Sequence, residues 1–239
     1  MAEVLRSLRL SGVNGAAQAS ARALGAEGVA LSVLAGPDRL AEPLWGHPQL
    51  SARFEELQFT LGEGPTPDAI RTGAPVLEPD LARVRPERWP ALLPAARKMG
   101  VHGVCCFPLG IGAIRVGALT LLCDPARPPD DQQYADATAL AAALTMACLD
   151  GEHPDRRNNE NPGLNELHTS FLHRAAVHQA TGMVSVQLGV PMEIALLRLR
   201  AHAYAGDRPL GEVAQDVVAR RLRFNDDKSG PQSPDGGKG

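Results

Sequence analysis

Two sets of side chains in this sequence of 239 residues carry chemistry. The first is cationic and polar and falls in the last third of the chain: Arg174, His178, Gln179, Thr181, Arg198, Arg200, Tyr204, Arg208, Arg220 and Arg221, with His202 and Arg223 among them. Guanidinium groups contact phosphate, and hydrogen-bonding or stacking groups read unpaired bases. Tyr204 can stack a base, and Gln179 and Thr181 sit beside Gly182, where a missing side chain lets another backbone approach. The second set is four cysteines, Cys105, Cys106, Cys123 and Cys148, without CxxC spacing. Cys105 and Cys106 are adjacent on an expected strand, so they face opposite sides. Neither has a sequence-local Lys or Arg to lower its pKa, and all four read as buried thiols. His168, His173 and His178 recur every five residues, so they drift around a helix and make no single ligand face. Gly62-Glu63-Gly64 follows a helix instead of a strand, which excludes a dinucleotide fingerprint. No metal and no cofactor is expected.

Composition bounds the scaffold that must position these groups. The formal net charge is -3, with 44% hydrophobic and 21% charged residues. That describes a globular chain and excludes a uniformly basic nucleic-acid wrapper. Aromatic residues make up 4%, so the core must rest on Ala, Leu and Val. No run approaches the roughly 18 apolar residues that span a bilayer. The start, MAEVLRSLRL, lacks a signal-peptide core, and the expected location is the cytoplasm, with no membrane partner.

Charge divides the chain. Residues 1–150 carry 13 basic and 16 acidic side chains, whereas 164–224 carry seven and five, net +2, with four of the seven histidines. Residues 151–163, GEHPDRRNNENPG, hold almost nothing to bury and read as a linker. The tail 225–239 is Gly-, Pro- and Ser-rich and reads as disordered.

The first segment mixes periods. A weak helix is expected over 3–24, a strand at Val29–Leu34, a turn at Gly36-Pro37-Asp38 and a hairpin partner at Arg39–Trp45. Helices are expected over 49–58, Pro67–Arg71 and Arg88–Lys98, and a strand at Val76–Leu81. Gly103–Leu109 and Arg115–Cys123 are the two best strands, and Asp130–Leu149 is a long Ala-rich helix. The order argues for an α+β domain with a central antiparallel sheet flanked by helices. Residues 164–224 show only helical periodicity, expected as three helices over Leu164–Leu188, Pro191–Tyr204 and Pro209–Leu222. The second is apolar on two sides: Met192, Ala195, Leu196, Leu199 and Ala203 share one face, while Ile194, Leu197 and Ala201 lie nearly opposite. The second stripe implies another contact.

Two family resemblances follow from these residues. LGEGPTPDAIRTGAPVLEPDLA (61–82), followed by GVCCFPL and RVGALTLLC, resembles a GAF domain, over about residues 2–150. The stretch 175–222, with Ala180, Gly182, Leu188, Gly189, Ala195, Leu199, Ala203, Leu210, Val213, Ala214 and Val218 in register, resembles an ANTAR domain. Together they imply a transcription antitermination regulator, not an enzyme: a GAF-like domain (1–150) senses a signal, and an ANTAR domain (164–224) binds RNA stem-loops of nascent transcripts, generally as a homodimer. The candidate RNA contacts, chosen by residue chemistry, are Arg174, His178, Gln179, Thr181, Arg198, Arg200, Tyr204, Arg208, Arg220 and Arg221. The resemblance implies a GAF pocket for an unidentified small molecule near Trp45, Glu63, Thr66, Cys105 and Phe107, with Asp68 close by. Where the family usually carries Ala-Lys-Gly this chain has Ala180-Thr181-Gly182, and Thr181 offers only a hydroxyl. That leaves open an alternative, a dimerising signal-sensing or protein-interaction module that does not bind RNA. With a net charge of only +2, affinity must come from shape, base contacts and a second subunit, with fewer than about five effective phosphate contacts per protomer.

Overall fold

The computed structural model describes residues 20–35, 40–149 and 163–224. The expected helix over 3–24 lies outside them except at 20–24, which is helical. Also outside are the turn at Gly36-Pro37-Asp38, the linker up to residue 162 and the tail from Asn225. The chain divides into two compact units between Leu172 and His173.

In the first unit, β1 (Gly28–Ala35) and β2 (Leu40–His47) form an antiparallel pair. Next come α1 (Gln49–Leu61), α2 (Pro65–Thr72) and β3 (Val76–Glu78). After α3 (Leu92–Met99), the hairpin β4 (Gly103–Ile111) and β5 (Ile114–Cys123) leads to α4 (Asp131–Leu149). The strands make one antiparallel sheet in the order β2-β1-β5-β4-β3. The α+β class read from the element order is therefore the observed one.

Both faces of the sheet are covered, which explains why β4 and β5 read as nearly unbroken apolar runs. Val29, Leu31, Phe107, Leu119 and Leu121 pack with Ala137, Leu140 and Leu144 of α4. Val104, Cys106, Ala118 and Leu122 pack instead with Phe54, Ala69, Trp89, Leu92 and Ala96 from the α1–α3 side. Period-2 alternation therefore sends Cys105 to the α4 face and Cys106 to the other.

Two boundaries differ from expectation for local reasons. β3 stops at Glu78 instead of Leu81, because Pro79 cannot donate to a ladder. α3 starts at Leu92 instead of Arg88, because Pro90 interrupts the earlier stretch and the Glu63 carboxylate accepts from the Ala91 and Leu92 amides, both at 2.8 Å. That contact explains the Gly-Glu-Gly-Pro stretch. Gly62 ends α1, Glu63 caps α3, and Gly64, at φ 135°, admits no side chain before Pro65 opens α2.

The boundary between the units falls inside α5 (Gly163–Leu188), and the second unit holds α5 from His173 on, α6 (Met192–Ala205) and α7 (Leu210–Val218). Gly189, at φ 63°, takes the left-handed conformation that ends α5, and Pro191 caps α6. α7 is shorter than expected. Arg220 adopts a left-handed φ of 60°, and the Arg221 and Leu222 amides turn back onto the Asp216 carbonyl.

Candidate nucleic-acid interface

The three helices of the second unit close on a small core. α5 contributes Val177, Ala180 and Val184, α6 contributes Ala195, Leu199 and Ala203, and α7 contributes Leu210, Val213, Ala214 and Val217. The segment after α7 returns to this core: the Phe224 amide donates to Gln187 Oε1 at 2.9 Å, and its ring meets His202 edge-on at 5.4 Å.

The face of α6 turned away from this core is exposed. Ile194 is 41% exposed, Leu197 60% and Tyr204 51%, and Ala201 lies between them in the same stripe. Spacings of three, four and three residues place these four on one side of the helix. This is the second apolar side read from the sequence. Arg198, also exposed, borders the stripe. Arg200 borders it on the other flank and is half-buried, and desolvation holds its pKa below the ordinary arginine value.

On α5, Gln179 is exposed and His178 half-buried. A Cβ placed on Gly182 would meet nothing within 4 Å, and Val186, one turn on, is 85% exposed. A glycine inside a helix costs roughly 1 kcal/mol relative to alanine, and packing within the unit gives no reason for one here.

Thr181 needs a correction as a contact residue. It is 2% exposed, and its hydroxyl donates to the Val177 carbonyl at 2.7 Å, the back-bond typical of a threonine inside a helix. Arg208 and Arg221 are exposed but committed elsewhere. Arg208 pairs with Asp216 at 2.8 Å and Arg221 with the same carboxylate at 2.7 Å. These two hydrogen-bonded guanidinium groups hold the Asp216 carboxyl below its usual pKa. Arg220 and Arg223 are exposed, and the Arg174 side chain lies outside the described residues. Sequence reasoning missed Asp216, which lies eight residues after Arg208 and five before Arg221.

The expected small-molecule pocket is also corrected. Trp45, Cys105 and Phe107 belong to the α4 side of the sheet, whereas Thr66 lies on the α1–α3 side against Cys106, at 3.6 Å. Glu63 caps α3, so the five residues do not line one cavity. The α1–α3 side is filled by a polar cluster instead. Fully buried Glu55 accepts from Ser32 at 2.5 Å, from Gln58 at 2.8 Å and from Thr66 at 3.0 Å, and Thr120 lies 3.0 Å from Thr66. Burial pushes the Glu55 carboxyl up, against the lowering effect of these donors. A separate cleft of about 550 Å³ opens beside β3, lined among others by Asp68, Arg71, Glu78 and Arg88. Arg88 crosses it, bonding both Asp68 and Glu78 and lying 4.4 Å over the Trp89 ring.

Residues 165–218 match the ANTAR domain family. No curated protein matches the chain. Similar solved structures include the GAF domain of a phosphoenolpyruvate-protein phosphotransferase from Coxiella burnetii, at 14% identity over 63% of this chain and 93% of that one, with a TM-score of 0.45. The corresponding GAF domain from Acinetobacter gives 11% identity over 63% and 93%, with a TM-score of 0.46. A GAF domain/HD domain protein from Geobacter sulfurreducens gives 17% over 60% and 88%, with a TM-score of 0.43. Among the described residues no single helix is long and apolar enough to cross a membrane.

Proposed function

We propose that the chain is a cytoplasmic regulator of transcription antitermination, not an enzyme, acting as a homodimer that binds stem-loops in nascent RNA. The ANTAR match over 165–218 carries this reading. Exposed Tyr204 and Arg198 on one side of α6 support it. Tyr204 stacks on an unpaired loop base, Arg198 and Arg220 meet phosphates, and Gln179 and His178 supply hydrogen bonds beside the open backbone of Gly182. Arg200 supports the base-reading face. Arg208, Arg221 and Arg174 belong to the periphery of the interface. Residues 1–150 form a GAF-like sensor that joins the ANTAR domain through 151–163 and responds to a small molecule. A signal acts by favouring one domain arrangement over another.

A gel-shift titration of the full chain with leader RNAs carrying two tandem stem-loops tests this. Binding should be retained when the stems change sequence and lost when the loop bases are replaced. Its salt slope should correspond to fewer than about five phosphates per protomer.

A second reading has its own support. Thr181 is buried where the family usually carries lysine, and Asp216 engages two of the arginines. On that reading the chain is a dimerising signal-sensing or protein-interaction module. A dimer that ignores every tandem stem-loop RNA would favour it.

A further inference from the structure

The α4 face of the sheet contains a thiol pair that the RNA-binding reading does not use. Cys105 on β4 and Cys123 at the end of β5 point to the same side, offset by two pair positions. Cys105 registers with Leu121, and Cys123 registers with Gly103. Gly103 presents no side chain opposite Cys123. The Cys123 thiol reaches diagonally to Cys105, with the two Sγ atoms 3.6 Å apart. Tyr134 Oη, in the first turn of α4, lies 3.8 Å from Cys105 Sγ.

These contacts make the two sulfurs unequal. When Cys105 is a thiolate, both the Cys123 S–H and the Tyr134 O–H donate to it. Cys123 is the larger of these influences in drawing the Cys105 thiol below its ordinary pKa, while donation to Cys105 and burial push Cys123 up. Cys106, one residue along the same strand on the opposite face, lacks such a pairing, and burial pushes it up to about 12. Cys105 is itself buried, and the half-buried Tyr134 is the polar side chain that lies between it and the edge of the α4 layer.

We propose that Cys105 and Cys123 form a reversible dithiol–disulfide site that reacts with hydroperoxides. The Cys105 thiolate attacks the terminal peroxide oxygen: an S–O bond forms, the O–O bond breaks, and hydroxide (alkoxide from an organic hydroperoxide) leaves and takes up a proton to become water or an alcohol. The Cys123 sulfur then attacks the sulfenic sulfur of Cys105. An S–S bond forms, the S–O bond breaks, and water leaves with the Cys123 proton. Two thiols are oxidised and one hydroperoxide is reduced; a thiol reductant reverses the step. Cys105 is the attacking sulfur and Cys123 the resolving one. Closing the pair from 3.6 Å to the bond length of about 2 Å takes side-chain rotation together with a local backbone shift, because diagonal neighbours on a sheet lie farther apart than directly paired residues.

The test uses the full chain, reduced and freed of reductant, then exposed to hydrogen peroxide. Samples are denatured, alkylated, digested and weighed. The expected product is a Cys105–Cys123 cross-linked peptide that dithiothreitol reverses, with Cys106 still alkylated. Cys123→Ala should stop the reaction at a sulfenic acid on Cys105 that dimedone traps. Tyr134→Phe keeps the ring and both thiols and should slow disulfide formation several-fold. The proposal is overturned if Cys105 and Cys123 react no faster than Cys106, or if both stay alkylatable at doses that oxidise Cys148.

Discussion

The Thr66 hydroxyl lies 3.0 Å from the Glu55 carboxylate and joins α2 to α1 inside the core. No basic side chain is among the hydrogen-bond donors described at that carboxylate. Because burial raises the pKa of Glu55 in the fold, the folded state holds its proton more tightly than the unfolded chain does. The associated stability is fully present below the unfolded value of 4.5 and is lost as pH rises through the folded value. Melting temperatures of the wild type and Glu55→Gln, compared from pH 5 to pH 8, should diverge as pH rises, with the glutamine variant gaining. A constant difference across that range contradicts the argument.

Glu63 should matter for stability. Glu63→Ala removes the acceptor for two amides at the start of α3 and is expected to cost about 1–2 kcal/mol in urea unfolding. Glu63→Gln keeps an oxygen there and should recover part of the loss. Equal effects from both variants would mean that the cap is not what holds α3.

Tyr204 separates binding from folding. Because its ring is 51% exposed, Tyr204→Ala should leave the melting temperature within a degree or two while weakening loop binding by about 1–3 kcal/mol. Tyr204→Phe keeps the stacking surface and should bind nearly as well. Loss of binding in both variants would point to the hydroxyl instead.

Asp216 restrains two guanidinium groups. Asp216→Asn should free Arg208 and Arg221 for phosphate, strengthen RNA binding at low salt and steepen the salt slope by up to about two phosphates per protomer. An unchanged slope would place both arginines off the RNA path.

Gly182→Ala gives opposite signs for the two properties. The added methyl meets open space, so α5 should gain up to about 1 kcal/mol in thermal or urea unfolding. The same methyl obstructs whatever approaches the helix there, so RNA affinity or dimerisation should fall. A variant that gains stability and keeps both would leave the glycine unexplained.

Much of this was legible in the residues. The strands at β4 and β5, the long helix α4 and the turn at Gly189-Val190-Pro191 all carry strong local signals, and each appears within a residue or two of its expected bounds. The exposed side of α6 was legible because helical period alone separates Ile194, Leu197 and Ala201 from the buried positions. The expected pocket failed because proximity to one loop cluster does not say which side of a sheet a residue faces. Alternation from Cys105 would have put Phe107 with it and Cys106 against Thr66. The clamp at Asp216 was not legible, because it depends on how the α6–α7 turn and the left-handed Arg220 fold two distant arginines onto one carboxylate. The Cys105–Cys123 contact depends on register, which a single sequence does not supply.

The family match stops at residue 218, yet Phe224 is fastened back to Gln187 and His202. The packed second unit therefore reaches six residues past the recognisable motif. An excised fragment trimmed to the motif's own borders would forfeit a latch that links the end of the first helix to the last turn of the second.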